Sequence, residues 1–196
     1  MSDIKDKQEE IKKKILDSAT ILFTHFGFKK TSVDDIAKKA DVAKGTIYNY
    51  FKNKEDLFKD VFRQEGIFLI SAMREAVKLK KAPEQKLREM IIAKVKHYKD
   101  FCLIYDINHQ RAEQLLPFIE DERNEISVNE IKLIKEILEE GVRLSLFEVA
   151  NLHSTAKAMA IAIKGLEISW TLDMDLAQAV KELDELLYIL FNGLKK

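Results

Sequence analysis

Apolar side chains recur at spacings of three and four along almost the whole chain, the period of helices buried on one side. The first such stretch, residues 6–26, puts Ile11, Ile15, Leu16, Ala19, Leu22, Phe23 and Phe26 on one stripe, and Gly27 supplies the left-handed residue that ends many helices. Lys29 and Lys30 follow in a loop. Thr31 or Ser32, with Asp34 or Asp35 three residues later, is a capping-box start for a short second helix that buries Val33, Ile36, Ala37 and Ala40. Asp41 and Val42 make a turn, and residues 44–51 form a third helix with Ile47 and Phe51 facing inward. Asn53, with Asp56 in the capping-box position, opens a fourth helix that runs to about residue 80 and buries Leu57, Phe58, Val61 and Phe62.

The same periodicity continues to the end. Pro83 suits the first turn of a fifth helix, to residue 102, and helical stretches follow over 103–116 and 117–140, with Gly141 closing the latter. Residues 142–152 read as a connection before two last helices, 153–172 and 175–194. Ala156, Ala158, Ala160, Ala162 and Gly165 on the first of these are small enough to let another helix approach closely. Two prolines and six glycines are too few for a chain of tight β-turns. The expectation is an all-α fold of about nine helices: a three-helix head and a larger helical body, divided as 1–58 and 59–196.

Composition narrows the setting. A 196-residue chain with 46% hydrophobic residues fills a proper core, and its one cysteine, Cys102, excludes an internal disulfide. The first residues are charged where a signal peptide is apolar, and no run of about 18 apolar residues occurs, so a cytoplasmic location with no membrane partner is expected. The net charge is zero, but between Lys29 and Lys59 there are 8 basic against 5 acidic side chains. Whether those basic groups share a surface decides what the imbalance means.

Residues 31–58, TSVDDIAKKADVAKGTIYNYFKNKEDLF, therefore read as a helix-turn-helix, in which one helix braces and the next enters a DNA major groove. The run from Ile15 to Phe58, above all GTIYNYFKNKEDLF, resembles the DNA-binding head of the TetR family of bacterial transcriptional regulators. The resemblance implies a helical ligand-binding body whose last two helices pair with a second subunit. Two positions depart from the family pattern: Asp41 stands where the turn usually has glycine, and Ala43 where the recognition helix often has a serine or threonine cap.

Lys44 can bond a guanine edge or a phosphate, Gly45 lets the backbone come close, Thr46 suits a base edge or thymine methyl, and Asn49 can pair with adenine. Tyr48 and Tyr50 can place hydroxyls on phosphates, and Lys54 resembles the family's phosphate-binding lysine at a helix N-terminus. Thr31 and Ser32 can bond phosphate from the preceding helix. Packing would equally account for the two tyrosines, and capping alone for Thr31.

In the body, Phe62, Arg74, Tyr98, Cys102, Tyr105, His109, Phe118 and Trp170 are candidates to line a cavity for a small, hydrophobic effector, although aromatics at helical spacing ordinarily fill cores. The expected activity is that of a ligand-responsive repressor binding a palindromic double-stranded operator as a homodimer, with no cofactor or metal. One alternative is a helical metal-dependent enzyme, for which only Asp106-x-x-His109 approaches the paired Glu-x-x-His pattern and the other histidines are scattered. The other is a sequence-independent DNA-binding protein, which the neutral overall charge disfavours.

Overall fold

The computed structural model describes residues 2–193, with side chains from residue 6 onward. Nine α-helices are present among these residues and no strand: α1 (Ser2–Lys30), α2 (Val33–Ala40), α3 (Lys44–Tyr48), α4 (Lys54–Lys78), α5 (Pro83–Ile104), α6 (His109–Leu115), α7 (Glu120–Arg143), α8 (Leu152–Ile168) and α9 (Leu176–Asn192). A 3-10 turn, Leu116–Phe118, precedes α7, and a π-helical turn, Ser169–Asp173, follows α8. The chain packs as two compact units, Met1–Glu65 with Phe101–Glu122, and Gly66–Asp100 with Arg123–Lys196. By packing, the first unit thus takes in more than residues 1–58: it adds the first turns of α4 and a segment from the middle of the chain.

The first unit is built on linked aromatic rings. Phe58 lies 5.7 Å from Phe23, 5.0 Å from Phe28, 6.2 Å from Phe101 and 6.1 Å from Tyr105, measured between ring centroids. Phe62 extends the set onto Phe101 at 5.4 Å. Such offset and edge-on pairs add about 0.5–1.5 kcal/mol each beyond the area they bury. Phe26, expected on the buried stripe, is 55% exposed, and Phe28 takes its place. The cause is Gly27, whose φ of 75° breaks the helix and swings Phe28 back onto the core. A β-carbon at Gly27 would also stand only 3.3 Å from Asp106 Cβ.

Several helix ends differ from expectation for identifiable reasons. The third helix is a single turn that closes at Asn49, with the Tyr50 and Phe51 amides donating to Ile47 O at 3.0 and 2.9 Å. The stretch 103–116 is interrupted by Asp106 in the left-handed region (φ 54°), after which Asn108 caps α6 by accepting from the Arg111 amide. Gly141 does not end its helix. α7 continues to Arg143, and Ser145, with φ 58°, makes the turn. Glycine is needed at 141 for space, because a β-carbon there would run into the Phe147 ring. Phe147 in turn stacks on Phe191 of α9 at 5.4 Å.

The second unit has an apolar core including Leu69, Met90, Ile134, Ile163 and Leu183, and within it lies a charged cluster. Lys94 and Glu130 are 2% and 1% exposed and meet at 2.7 Å. Lys94 also lies 3.3 Å from Glu167, which accepts from Arg123 at 3.0 Å. Glu130 Oε1 is buried with no hydrogen-bond partner. Burial raises the Glu130 carboxyl above its ordinary range, outweighing the attraction of Lys94. Elsewhere Arg88 forks onto Asp184 (2.6 and 3.0 Å), the Trp170 indole donates to Glu182 at 2.9 Å, and Lys99 closes the π-helical turn by donating to the Thr171 and Met174 carbonyls. Among the described residues, no helix is long and apolar enough to cross a membrane.

Gly141→Ala is expected to destabilise the protein by about 1–3 kcal/mol through overpacking. Gly45→Ala, where nothing lies within 4 Å, should be neutral or stabilising by up to about 1 kcal/mol in the DNA-free protein. Urea midpoints of the two variants check the contrast. A raised carboxyl also fixes a sign with pH: folded Glu130 holds a proton that the unfolded chain releases above about pH 4.5. Stability from this group therefore falls as pH rises from there through the raised folded pKa, and Glu130→Gln should flatten that decline in paired urea titrations.

Candidate nucleic-acid interface

The α2–α3 segment is set by its caps. Ser32 Oγ accepts from the Asp35 amide at 3.1 Å, and Asp35 Oδ2 accepts from the Ser32 amide at 3.1 Å and from Ser32 Oγ at 2.5 Å. These bonds hold the Asp35 carboxyl below the usual carboxylate range. Ile36, Ala37 and Ala40 bury one face of α2. Asp41 then adopts φ 51° and ψ 51°, so aspartate occupies the left-handed turn conformation that glycine would take more cheaply. Ala43 is extended and provides no side-chain cap for α3. Its absence is offset by Ile47 and Phe51, both 2% exposed, which pin the helix by its buried side.

What remains outward is the expected polar set. Lys44, Gly45, Tyr48 and Asn49 are exposed, Thr46 and Tyr50 are partly so, and Ser32 is exposed at the head of α2. Tyr48 is 50% exposed, and its ring appears in none of the aromatic contacts of the core. No atom lies within 4 Å of a β-carbon at Gly45, so packing does not demand glycine there. Lys44 Nζ lies 2.8 Å from Asp34 Oδ2, and that hydrogen bond raises the lysine above its ordinary pKa.

Two expected contacts are placed elsewhere. Thr31 is 3% exposed, and its hydroxyl points to the Leu22 and Gly27 carbonyls at 3.1 and 3.0 Å, so it closes the end of α1 and presents nothing to solvent. Lys54 Nζ donates to the Phe28 and Thr31 carbonyls at 2.8 and 3.0 Å and lies 4.3 Å from the centroid of the Phe28 ring. Partial burial holds its ammonium below the ordinary lysine value. Its carbonyl partners lie 26 and 23 residues away, a separation that no local pattern reveals. Asn53 Oδ1 does cap α4, accepting from the Asp56 amide at 2.7 Å, while the Asp56 carboxylate accepts from Lys52 N at 3.0 Å, one residue before the reciprocal box position.

The eight effector candidates divide between the units. Phe62 and Tyr105 belong to the aromatic core of the first, where Tyr105 Oη also bonds Glu65 at 3.0 Å. Cys102 is partly exposed, His109 exposed and Phe118 48% exposed in the same unit. Tyr98 and Trp170 are core residues of the second, and Arg74 is partly exposed. None of the eight lines the groove of about 440 Å³ between α8 and α9, whose walls include Ala158, Met159, Ala162, Leu187 and Leu190. Asp106 and His109 make no metal motif: the Asp106 carboxylate pairs with Arg111, and no cluster with metal-ligand composition occurs among the described residues.

The family profile described as bacterial regulatory proteins, tetR family, matches residues 15–61, which span the last turns of α1 through the start of α4. An uncharacterised HTH-type transcriptional regulator, YhgD, of Bacillus subtilis (strain 168) is 30% identical over 159 residues, 81% of this chain and 83% of its own. The crystal structure of the transcriptional regulator FadR from Bacillus subtilis in complex with stearoyl-CoA superposes with a TM-score of 0.63 at 27% identity, covering 93% of this chain and 98% of that one. A TetR-family regulator structure from Syntrophomonas wolfei shares the fold, with a TM-score of 0.68 at 21% identity over 95% of this chain and 97% of that one. With its compact helix-turn-helix and a polar α3 face left to solvent, the chain belongs to the tetR family of bacterial regulatory proteins.

Proposed function

We propose that the chain is a repressor that binds a near-palindromic operator as a homodimer and leaves it when a long-chain apolar effector occupies the helical body, residues 59–196. The carrying observation is the outward face of α3, where Lys44, Thr46, Tyr48 and Asn49 are held in place by buried Ile47 and Phe51 without being used in packing. Lys44 and Asn49 have the chemistry to read base edges, Thr46 to meet a base edge or a thymine methyl, and Tyr48, Tyr50 and Ser32 to position the head on phosphates. Thr31 and Lys54 support that face from behind through the backbone bonds already described.

Dimerisation through α8 and α9 is supported by their free surfaces. Ala158, Ala162 and Gly165 recur on the outer side of α8, and Ile161, Tyr188 and Leu190 are 61%, 64% and 45% exposed. Small residues let a second pair of helices approach, and the large ones supply the apolar area. Two heads related by a two-fold axis then meet half-sites about 34–36 Å apart or a multiple of it.

Two relatives support the effector class. One is a fatty acid metabolism regulator protein of Bacillus subtilis, 30% identical over 135 residues, and the FadR structure holds stearoyl-CoA. An effector shifts operator affinity only through its different affinity for the DNA-binding and the released forms. A panel of acyl-CoA thioesters of increasing chain length should raise the melting temperature and release operator DNA, with the longer chains acting at lower concentration. Equal operator affinity and melting temperature across the panel would count against the effector class.

Tyr48→Ala is expected to weaken operator binding at least about tenfold, the scale of one lost contact of about 1.4 kcal/mol, with the melting temperature unchanged. Lys54→Met should instead lower stability by about 1–3 kcal/mol, from two lost hydrogen bonds and the ring contact, and weaken DNA binding through the disturbed head. Fluorescence anisotropy on a selected operator and thermal melting of both variants separate the two roles.

A further inference from the structure

The two aspartates that open α2 have different work. Asp35 closes the capping box with Ser32, which leaves the neighbouring Asp34 without a capping role. Its carboxylate instead reaches across the helix-turn-helix to Lys44, with Oδ2 and Nζ 2.8 Å apart and ten residues between them in the chain. The two side chains are 57% and 49% exposed, so the pair sits on the surface. Lys44 is the single cation among Ser32, Lys44, Gly45, Thr46, Tyr48, Asn49 and Tyr50, the side chains assigned to DNA.

Sequence-independent affinity for DNA comes from cations that replace condensed counterions on phosphates. An ammonium already paired with a carboxylate adds nothing to that affinity until the pair opens. The carboxylate also lies in the first turn of α2, at the positive end of the helix dipole. Any phosphate approaching Lys44 within hydrogen-bonding distance therefore meets a fixed negative charge beside it. The O6 and N7 atoms of guanine are acceptors without formal charge, and they engage Lys44 without that repulsion.

We propose that Asp34 is a positioning residue for sequence discrimination: by pairing with Lys44 it withholds the ammonium from phosphates and reserves it for an uncharged base-edge acceptor in the operator. The inference rests on the reading of the α3 face as the DNA-reading surface.

The test is fluorescence anisotropy of the full-length protein on an operator recovered by selection and on a random-sequence duplex of equal length, each across a range of salt. Asp34→Asn should tighten binding to the random duplex about fivefold near 0.1 M salt and steepen its logarithmic salt dependence by about one, the signature of one additional phosphate contact. Operator affinity should rise less, so the ratio between the two duplexes falls. In a Lys44→Ala background Asp34→Asn should have no effect, and melting curves of each variant control for folding. Equal tightening on both duplexes, an effect that persists without Lys44, or no effect overturns the proposal while leaving operator recognition standing. A wild-type protein with no preference for any selected duplex removes the underlying reading and the proposal together.

Discussion

The closure of α1 is the constraint on which the helix-turn-helix depends. At Gly27 the helix breaks, and the backbone that follows would leave carbonyls without partners in a partly buried place, at a cost comparable to a lost hydrogen bond for each. Two side chains supply the donors. The Thr31 hydroxyl serves the Leu22 and Gly27 carbonyls, and the Lys54 ammonium serves those of Phe28 and Thr31 while resting against the Phe28 ring. The first turn of α4 is thereby fastened to the end of α1, and α2 and α3 lie on the chain between these anchors. Phe28 is delivered onto Phe23 and Phe58 by the same turn, so the polar closure and the aromatic core of the first unit hold each other in place.

Part of the charge of this head is spent on itself. Lys54 is turned inward, Lys44 is paired with Asp34, Lys12 with Asp60, and Arg63 and Lys59 with Glu122. A local excess of basic side chains in the sequence does not become a free cationic surface of the same size. The outward face of α3 is polar and close to neutral, a composition that favours reading base edges over holding any phosphate backbone.

Helix existence and order were legible in the sequence because apolar residues at spacings of three and four mark buried faces, and the Ser32 and Asn53 caps were legible because their partners lie three residues away. Gly27, Asp41 and Ala43 also behave as their chemistry dictates. What sequence could not show is long-range. The carbonyl partners of Lys54, the placement of Phe62 and Tyr105 in the aromatic core, and the pairing of Asp34 with Lys44 all depend on tertiary packing. Gly141 illustrates the ambiguity within one residue type, since the glycine that suggested a helix end is there to admit the Phe147 ring. The lining of an effector cavity was the least legible of all, because core aromatics and ligand contacts share the same residue types and spacing.

Hydroxyl-radical footprinting of the full-length protein on genomic fragments that it selects tests the central claim most directly. Recognition by paired α3 faces predicts a few short protected sites with two-fold sequence symmetry, their half-sites centred about one helical turn, or a whole multiple of one, apart. Uniform protection along every fragment, or protected sites without two-fold symmetry, would contradict it.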